Sequence, residues 1–178
     1  MKSNPLVPQA SAIFQVRLDE LTGRLAFEIT GIKQQFNSRN LLISTGTLMA
    51  IYEHIDAAVL YMGKTASESA ILAHKSGNHR FSKNLESDLL DVFENNFSLG
   101  YTKLSALRIG SAQAILDGLS NKKMHESDSI LCEASRAKIE GQIALRQYLQ
   151  EVRRSQKSLS SYIYDIARFI LPFLFKGH

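Results

Sequence analysis

The chain has 178 residues, 44% of them hydrophobic and 21% charged, with a formal net charge of +4. That is the composition of one soluble globular domain rather than of a disordered, collagenous or disulfide-framed chain. Cys132 is the only cysteine, which rules out an internal disulfide and points to a reducing, cytoplasmic setting. No apolar run reaches the ~18–20 residues that span a bilayer, and the start Met1-Lys2-Ser3-Asn4-Pro5 is not followed by the apolar stretch of a secretory leader.

Prolines occur only at Pro5, Pro8 and Pro172. A long interior without proline suits helices, because proline removes a backbone donor and clashes with the preceding turn. The pattern predicts a single all-α domain over 1–178, a bundle of five or six helices, with 1–10 a flexible lead and 158–178 a C-terminal amphipathic, apolar helix.

In chain order, Phe14, Leu18, Leu21, Leu25, Ile29, Ile32 and Phe36 recur at spacings of three and four, a helical stripe. A hairpin competes with it, since Phe14-Val16-Leu18 and Leu25-Phe27-Ile29 alternate on either side of Thr22-Gly23. The helix accounts for seven large residues. The hairpin accounts for Val16 and Phe27 and strands Ile32 and Phe36. The next stripe is Leu41, Leu48, Ile51, Ile55, Val59 and Met62, with a break expected at 37–40 or 44–46. Thr65 to His74 reads as a short helix of its own, stopped at Gly77-Asn78. Leu85, Leu89, Val92 and Phe93 mark another, and Tyr101, Leu104, Leu107, Ala112, Ile115 and Leu119 continue the period beyond Gly100. After a loop at 118–123, a helix reaches about Gln156, with Leu131, Leu145, Leu149 and Val152 on one face and a second apolar spot at Ile139 and Ile143. Gly141 sits inside it, at a cost of about 1 kcal/mol relative to alanine, which a close helix crossing would explain.

The last segment is the most unusual. Leu159, Ile163, Ile166 and Ile170 recur at spacings of 4, 3 and 4, and Phe169 to Phe175 is apolar all round, with Pro172 set to kink or stop the helix. Such a segment is buried against its own bundle, another subunit, a partner or a lipid surface.

Charge is unevenly placed. Glu86, Asp88, Asp91 and Glu94 form an acidic stretch, and Arg136, Lys138, Arg146, Arg153, Arg154 and Lys157 dominate 134–157. The two attract each other within or between subunits, or are two solvated helix faces.

Catalytic motifs are thin. Gly63-Lys64-Thr65 ends like a phosphate-binding loop, but its first glycine would fall at Ala58 and a helix, not a strand, precedes it. Ser76-Gly77-Asn78-His79 is a turn. No Gly-x-Ser-x-Gly elbow and no Glu-x-x-His pair occur, and His54, His74, His79, His125 and His178 show no metal-ligand spacing. Neither a catalytic residue, a metal site nor a cofactor is assigned, and the reading leans away from an enzyme. The leading expectation is an interaction or assembly protein that homo-oligomerises or docks a protein partner through Ile163, Ile166, Phe169, Ile170, Phe173 and Phe175. The alternatives are insertion of the same helix, with Tyr162, into a lipid interface, and nucleic-acid binding through the basic patch Arg146, Arg153, Arg154 and Lys157.

Overall fold

In the computed structural model, the described backbone covers residues 6–77, 84–119 and 128–174, and the described side chains 6–77, 84–119 and 132–156. Among them the chain is all-helical, with four helices rather than the five or six expected: α1 (Leu6–Asn37), α2 (Thr45–Ser76), α3 (Leu85–Gly118) and α4 (Asp128–Leu174). The count falls because the Leu41–Met62 stripe and the expected short helix Thr65–His74 are one helix through Gly63, the period does continue through Gly100, and the helix expected to end near Gln156 runs on into the C-terminal segment as α4. At Gly63 and Gly100 another side chain or backbone comes too close for a Cβ.

The competition at the N-terminus resolves as a helix. Phe14, Leu18, Leu21, Leu25 and Ile29 are buried in one stripe, while Val16 and Phe27, the residues that only a hairpin would have explained, stand 61% and 81% exposed. Thr22-Gly23, the turn of the competing hairpin, lies inside the helix, and the Thr22 and Thr30 hydroxyls donate back to the carbonyls of Leu18 and Ala26. The helix begins at Leu6, inside the segment 1–10 expected to be a flexible lead, and buries Leu6 and Ala10.

Both candidate breaks between the first two stripes are used. Asn40, at φ 57°, takes the left-handed conformation that asparagine tolerates, and Leu41 N–H returns to the Phe36 carbonyl. Ser44 then caps α2 by accepting from Thr47 N–H at 3.1 Å, and the Thr47 hydroxyl donates to the Leu41 carbonyl at 2.8 Å. At the other end Gly77 N–H closes α2 onto Ala73.

α2 and α3 each pack against all three other helices, α2 the more extensively, whereas α1 and α4 make no contact with each other among the described residues. The sequence of α2 suits that position. Alongside Leu48, Ile51, Ile55 and Met62 it buries Gly63, Ala66, Ser67, Ser69, Ala70 and Ala73, small side chains that let neighbours approach closely. The buried Ser67 and Ser69 hydroxyls are satisfied by carbonyls of the preceding turn.

Contacts fix the directions. Gln9 meets Ser76 and Arg17 meets Glu68, so α1 and α2 are antiparallel. The Met62 side chain lies against Gly100, and Asp56 pairs with Arg108 at 3.0 Å, so α3 is antiparallel to α2. Gly63 lies against Ala137 and His74 bonds Tyr148, so α4 is parallel to α2. The Arg108 guanidinium is almost fully buried, with its carbon 3.8 Å from the Tyr52 ring centre, so cation, carboxylate and ring form one α2–α3 tie. On the surface Lys103 bonds Asp19 at 2.9 Å, joining α3 to α1; that bond and a second from Gln15 hold the Asp19 carboxyl below its usual range.

The tightest approach is between α2 and α4. A Cβ on Gly63 would lie 2.7 Å from the Ala137 carbonyl oxygen, and one on Gly141 would run into the Phe93 ring and come 3.1 Å from the Gly63 carbonyl oxygen. The glycine whose mid-helix position called for a close crossing therefore has one. By contrast, a Cβ on Gly23 meets nothing within 4 Å. Gly141→Ala should therefore destabilise the fold by about 1–3 kcal/mol, as overpacking does. Gly23→Ala should stabilise it by about 0.5–1 kcal/mol through helix propensity. Urea melts of the two variants check the opposite signs.

Candidate functional site

The first half of α4 is clamped to the body. Ala134, Ala137, Gly141, Leu145 and Leu149 form its buried face. On either side run polar ties: Lys138 Nζ to Glu94 at 2.6 Å, Gln142 Nε2 to Glu94 at 2.7 Å, and Arg153 to Glu86 at 2.5 Å. The acidic and basic stretches thus meet within one chain, across α3 and α4. All three ties are partly solvated, and pairs of this kind are worth about 0–1 kcal/mol each, so they set register more than stability.

A second tie lies at the far end of α2. His74 is buried, and its Nδ1 lies 2.7 Å from the Tyr148 hydroxyl, with the rings edge-on at 5.7 Å between centroids. Lys75 Nζ sits 5.3 Å from the Tyr148 ring centre. Burial, and after it the Glu151 carboxylate, raises the Tyr148 phenol above its ordinary pKa.

These ties locate where the clamp ends. Tyr148 is level with His74, two residues before α2 stops at Ser76, and Arg153 is level with Glu86, the second residue of α3. At the same level Gln9, near the start of α1, meets Ser76. The α4 backbone nevertheless stays helical to Leu174, through Pro172, so the helix does not stop there. At 1.5 Å per residue, about 30 Å of α4 extends beyond the level at which the other three helices begin or end.

That extension holds most of the sequence-predicted interface. Ile163, Ile166, Phe169, Ile170 and Phe173 lie on the helical backbone, with side chains outside the described residues; Phe175 lies wholly outside them. Of the basic patch, Arg153 is held by Glu86, Arg146 and Arg154 are exposed, and the Lys157 side chain is outside the described residues. The second apolar spot, Ile139 and Ile143, is on the surface at 56% and 47% exposure.

Two other features come from the tertiary structure. An open cleft of about 330 Å³ between α1 and α2 is lined by Leu21, Leu25, Arg24, Glu28, His54 and Tyr61. It mixes both signs of charge, and His54 Nδ1 is occupied by the Ala50 carbonyl at 2.9 Å. A shallower groove between α2 and α4 collects Glu53, Asp56, Cys132 and Glu133. No group of three or more metal-ligating side chains assembles among the described residues. Likewise, no helix of the described residues is long and apolar enough to cross a membrane. Gly63-Lys64-Thr65 lies within α2, so the resemblance to a phosphate loop ends there. Sequence reasoning missed the Arg108–Asp56–Tyr52 group and the His74–Tyr148 bond. A signal existed for the first, because Arg108 falls four residues after Leu104 on an apolar stripe.

No protein-family model matches the chain, and no curated protein or solved structure matches it either.

Tyr148→Phe should cost about 1 kcal/mol at neutral pH by removing the bond to His74. The raised phenol pKa adds a sign. The folded state holds the proton more tightly, so its contribution is fully present below pH 10 and is lost as pH rises through the folded value. Thermal melts between pH 8 and 11 should show stability falling more steeply for the native chain than for the variant.

Proposed function

We propose that this chain is a non-enzymatic helical assembly protein, and that the C-terminal part of α4 is the surface by which it homo-oligomerises or docks a protein partner. The observation that carries this reading is the length of α4. Its first half is held by α2 and α3, while about 30 Å more continues past the ends of α1, α2 and α3. That extension carries Ile163, Ile166, Phe169, Ile170 and Phe173, residues of the kind that form buried interface cores. α4 also separates apolar from polar residues more strongly along its length than the other three helices do.

Two facts weigh on the alternatives. The basic stretch is partly neutralised from within, since Arg153 of the patch is held by Glu86 and the neighbouring Lys138 by Glu94. That leaves fewer cations for a phosphate backbone, which is bound through several such charges at once. Lipid insertion draws on the same apolar residues, but amphipathic membrane helices favour a strongly cationic polar face. Between Ser158 and Leu174 the charged residues are Asp165 and Arg168, of opposite sign.

Phe169→Asp separates the readings. A charge placed in a protein interface core should dissociate the assembly in light scattering, at least tenfold in dissociation constant, while the Tm of the bundle moves by only a few degrees. If the variant keeps the native mass but no longer sediments with vesicles rich in phosphatidylserine, the surface is a lipid anchor and the assembly reading fails.

A further inference from the structure

We infer that the occupant of the α4 extension is a second copy of the same chain, bound antiparallel so that the two extensions form a two-stranded coil with a bundle at each end. The inference rests on the assembly reading above and narrows it to one partner and one geometry.

The spacing of the apolar positions comes first. Within the body, Leu145 and Leu149 are buried, and Val152 follows three residues later. The same alternation of four and three continues through Gln156 to Leu159, Ile163, Ile166, Ile170 and Phe173. A seam repeating every 3.5 residues is the pattern that buries one helix along another helix, rather than against a flat surface. The stripe that α2 covers up to about Leu149 therefore continues, in phase, beyond the end of α2.

The flanks come second. Ser160 and Ala167 stand on one side of the seam, and Tyr162 and Phe169 on the other. None is charged, so an identical helix meets no like-charge repulsion at the positions that set partner choice in coiled coils. Asp165 and Arg168 occupy positions more than 100° from the seam.

Direction follows from sterics and register. A parallel second copy would bring two bundles side by side, with α2 of each already against the seam at Leu149. An antiparallel copy puts the bundles at opposite ends. Its seam closes on itself: Leu159 is level with the partner's Ile170, and Ile163 with the partner's Ile166, around a two-fold axis between Tyr164 and Asp165. The flanks then match like with like, Ser160 beside the partner's Ala167 and Tyr162 beside the partner's Phe169. In this register the partner's Leu174 is level with Ser155, just past the end of α2, so the helical extension is as long as the space available to it. Tyr162, Phe169 and Phe173 offer about 150–250 Å² each, and with the aliphatic seam this reaches roughly the 800 Å² per partner of a stable interface. A closed two-fold pairing also gives a discrete dimer instead of a filament.

The test uses the full chain. Light scattering at about 50 µM should give twice the monomer mass, and Ile166→Asp should return it to monomer. Direction is read by spin labels in a Cys132→Ser background. Labels at Ser161→Cys should lie about 10 Å apart along the axis and labels at Gln150→Cys about 45 Å apart, whereas a parallel pair would bring both sets near the ~10 Å interhelix distance. A monomer at that concentration, a dimer indifferent to Ile166→Asp, or close Gln150→Cys labels would overturn the inference. Phosphatidylserine vesicles then locate the failure. A monomer that ignores them loses only the second copy and leaves a different protein partner standing, while a monomer that sediments with them loses the assembly reading as well.

Discussion

The structure depends on how closely α2 and α4 approach. Where Gly63 faces Ala137 and Gly141, the helix backbones come together with no Cβ at either glycine, and the Phe93 ring of α3 occupies the space that a Gly141 side chain would need. Once that crossing is set, the rest of the α2–α4 seam follows in register: Leu145 and Leu149 are buried, and His74 reaches Tyr148. Each glycine costs about 1 kcal/mol of helix propensity. The gain is that α2 packs closely against its three neighbours, with small side chains at the places where larger ones would hold those neighbours away.

The polar groups divide by depth. Arg108 is almost fully covered, and Asp56 and the Tyr52 ring are its companions; a cation so placed is strongly destabilising if its partner is removed. The pairs of Glu86 and Glu94 with α4, and of Asp19 with Lys103, remain in contact with water and are screened by salt. The buried group fixes α3 along α2, and the solvated pairs align α4 and α1 at modest energetic cost. The long α4 is thereby anchored to the body by its first half.

Much of this was legible in the sequence. Stripes at three and four positions identified the helices and most of their buried faces, and Gly141 inside a helix announced a close crossing. The number of helices was not legible. Gly63-Lys64 and the polar stretch near Gln156 look like interruptions, and only the approach of Ala137 on another helix shows that Gly63 is a packing position, as Met62 and Phe14 do for Gly100. Likewise the acidic and basic stretches were visible, but their meeting within one chain required the antiparallel placement of α3 and α4. The histidine list pointed to no metal spacing and said nothing of the Tyr148 partner, because that bond joins residues 74 apart. The apolar C-terminal segment was evident from composition. What composition could not give was its position beyond the bundle, which follows from the level at which α1, α2 and α3 end.

The central claim is that the extension of α4 is covered by another molecule and not by its own bundle. Hydrogen–deuterium exchange of the amides from 158 to 174, followed over a thousandfold range of protein concentration, tests it most directly. An isolated helix of this length is marginal in water, so protection should be low in dilute solution and rise with concentration, while the amides of α2 stay protected throughout. Protection in 158–174 that is already full at the lowest concentration and does not change would contradict the claim.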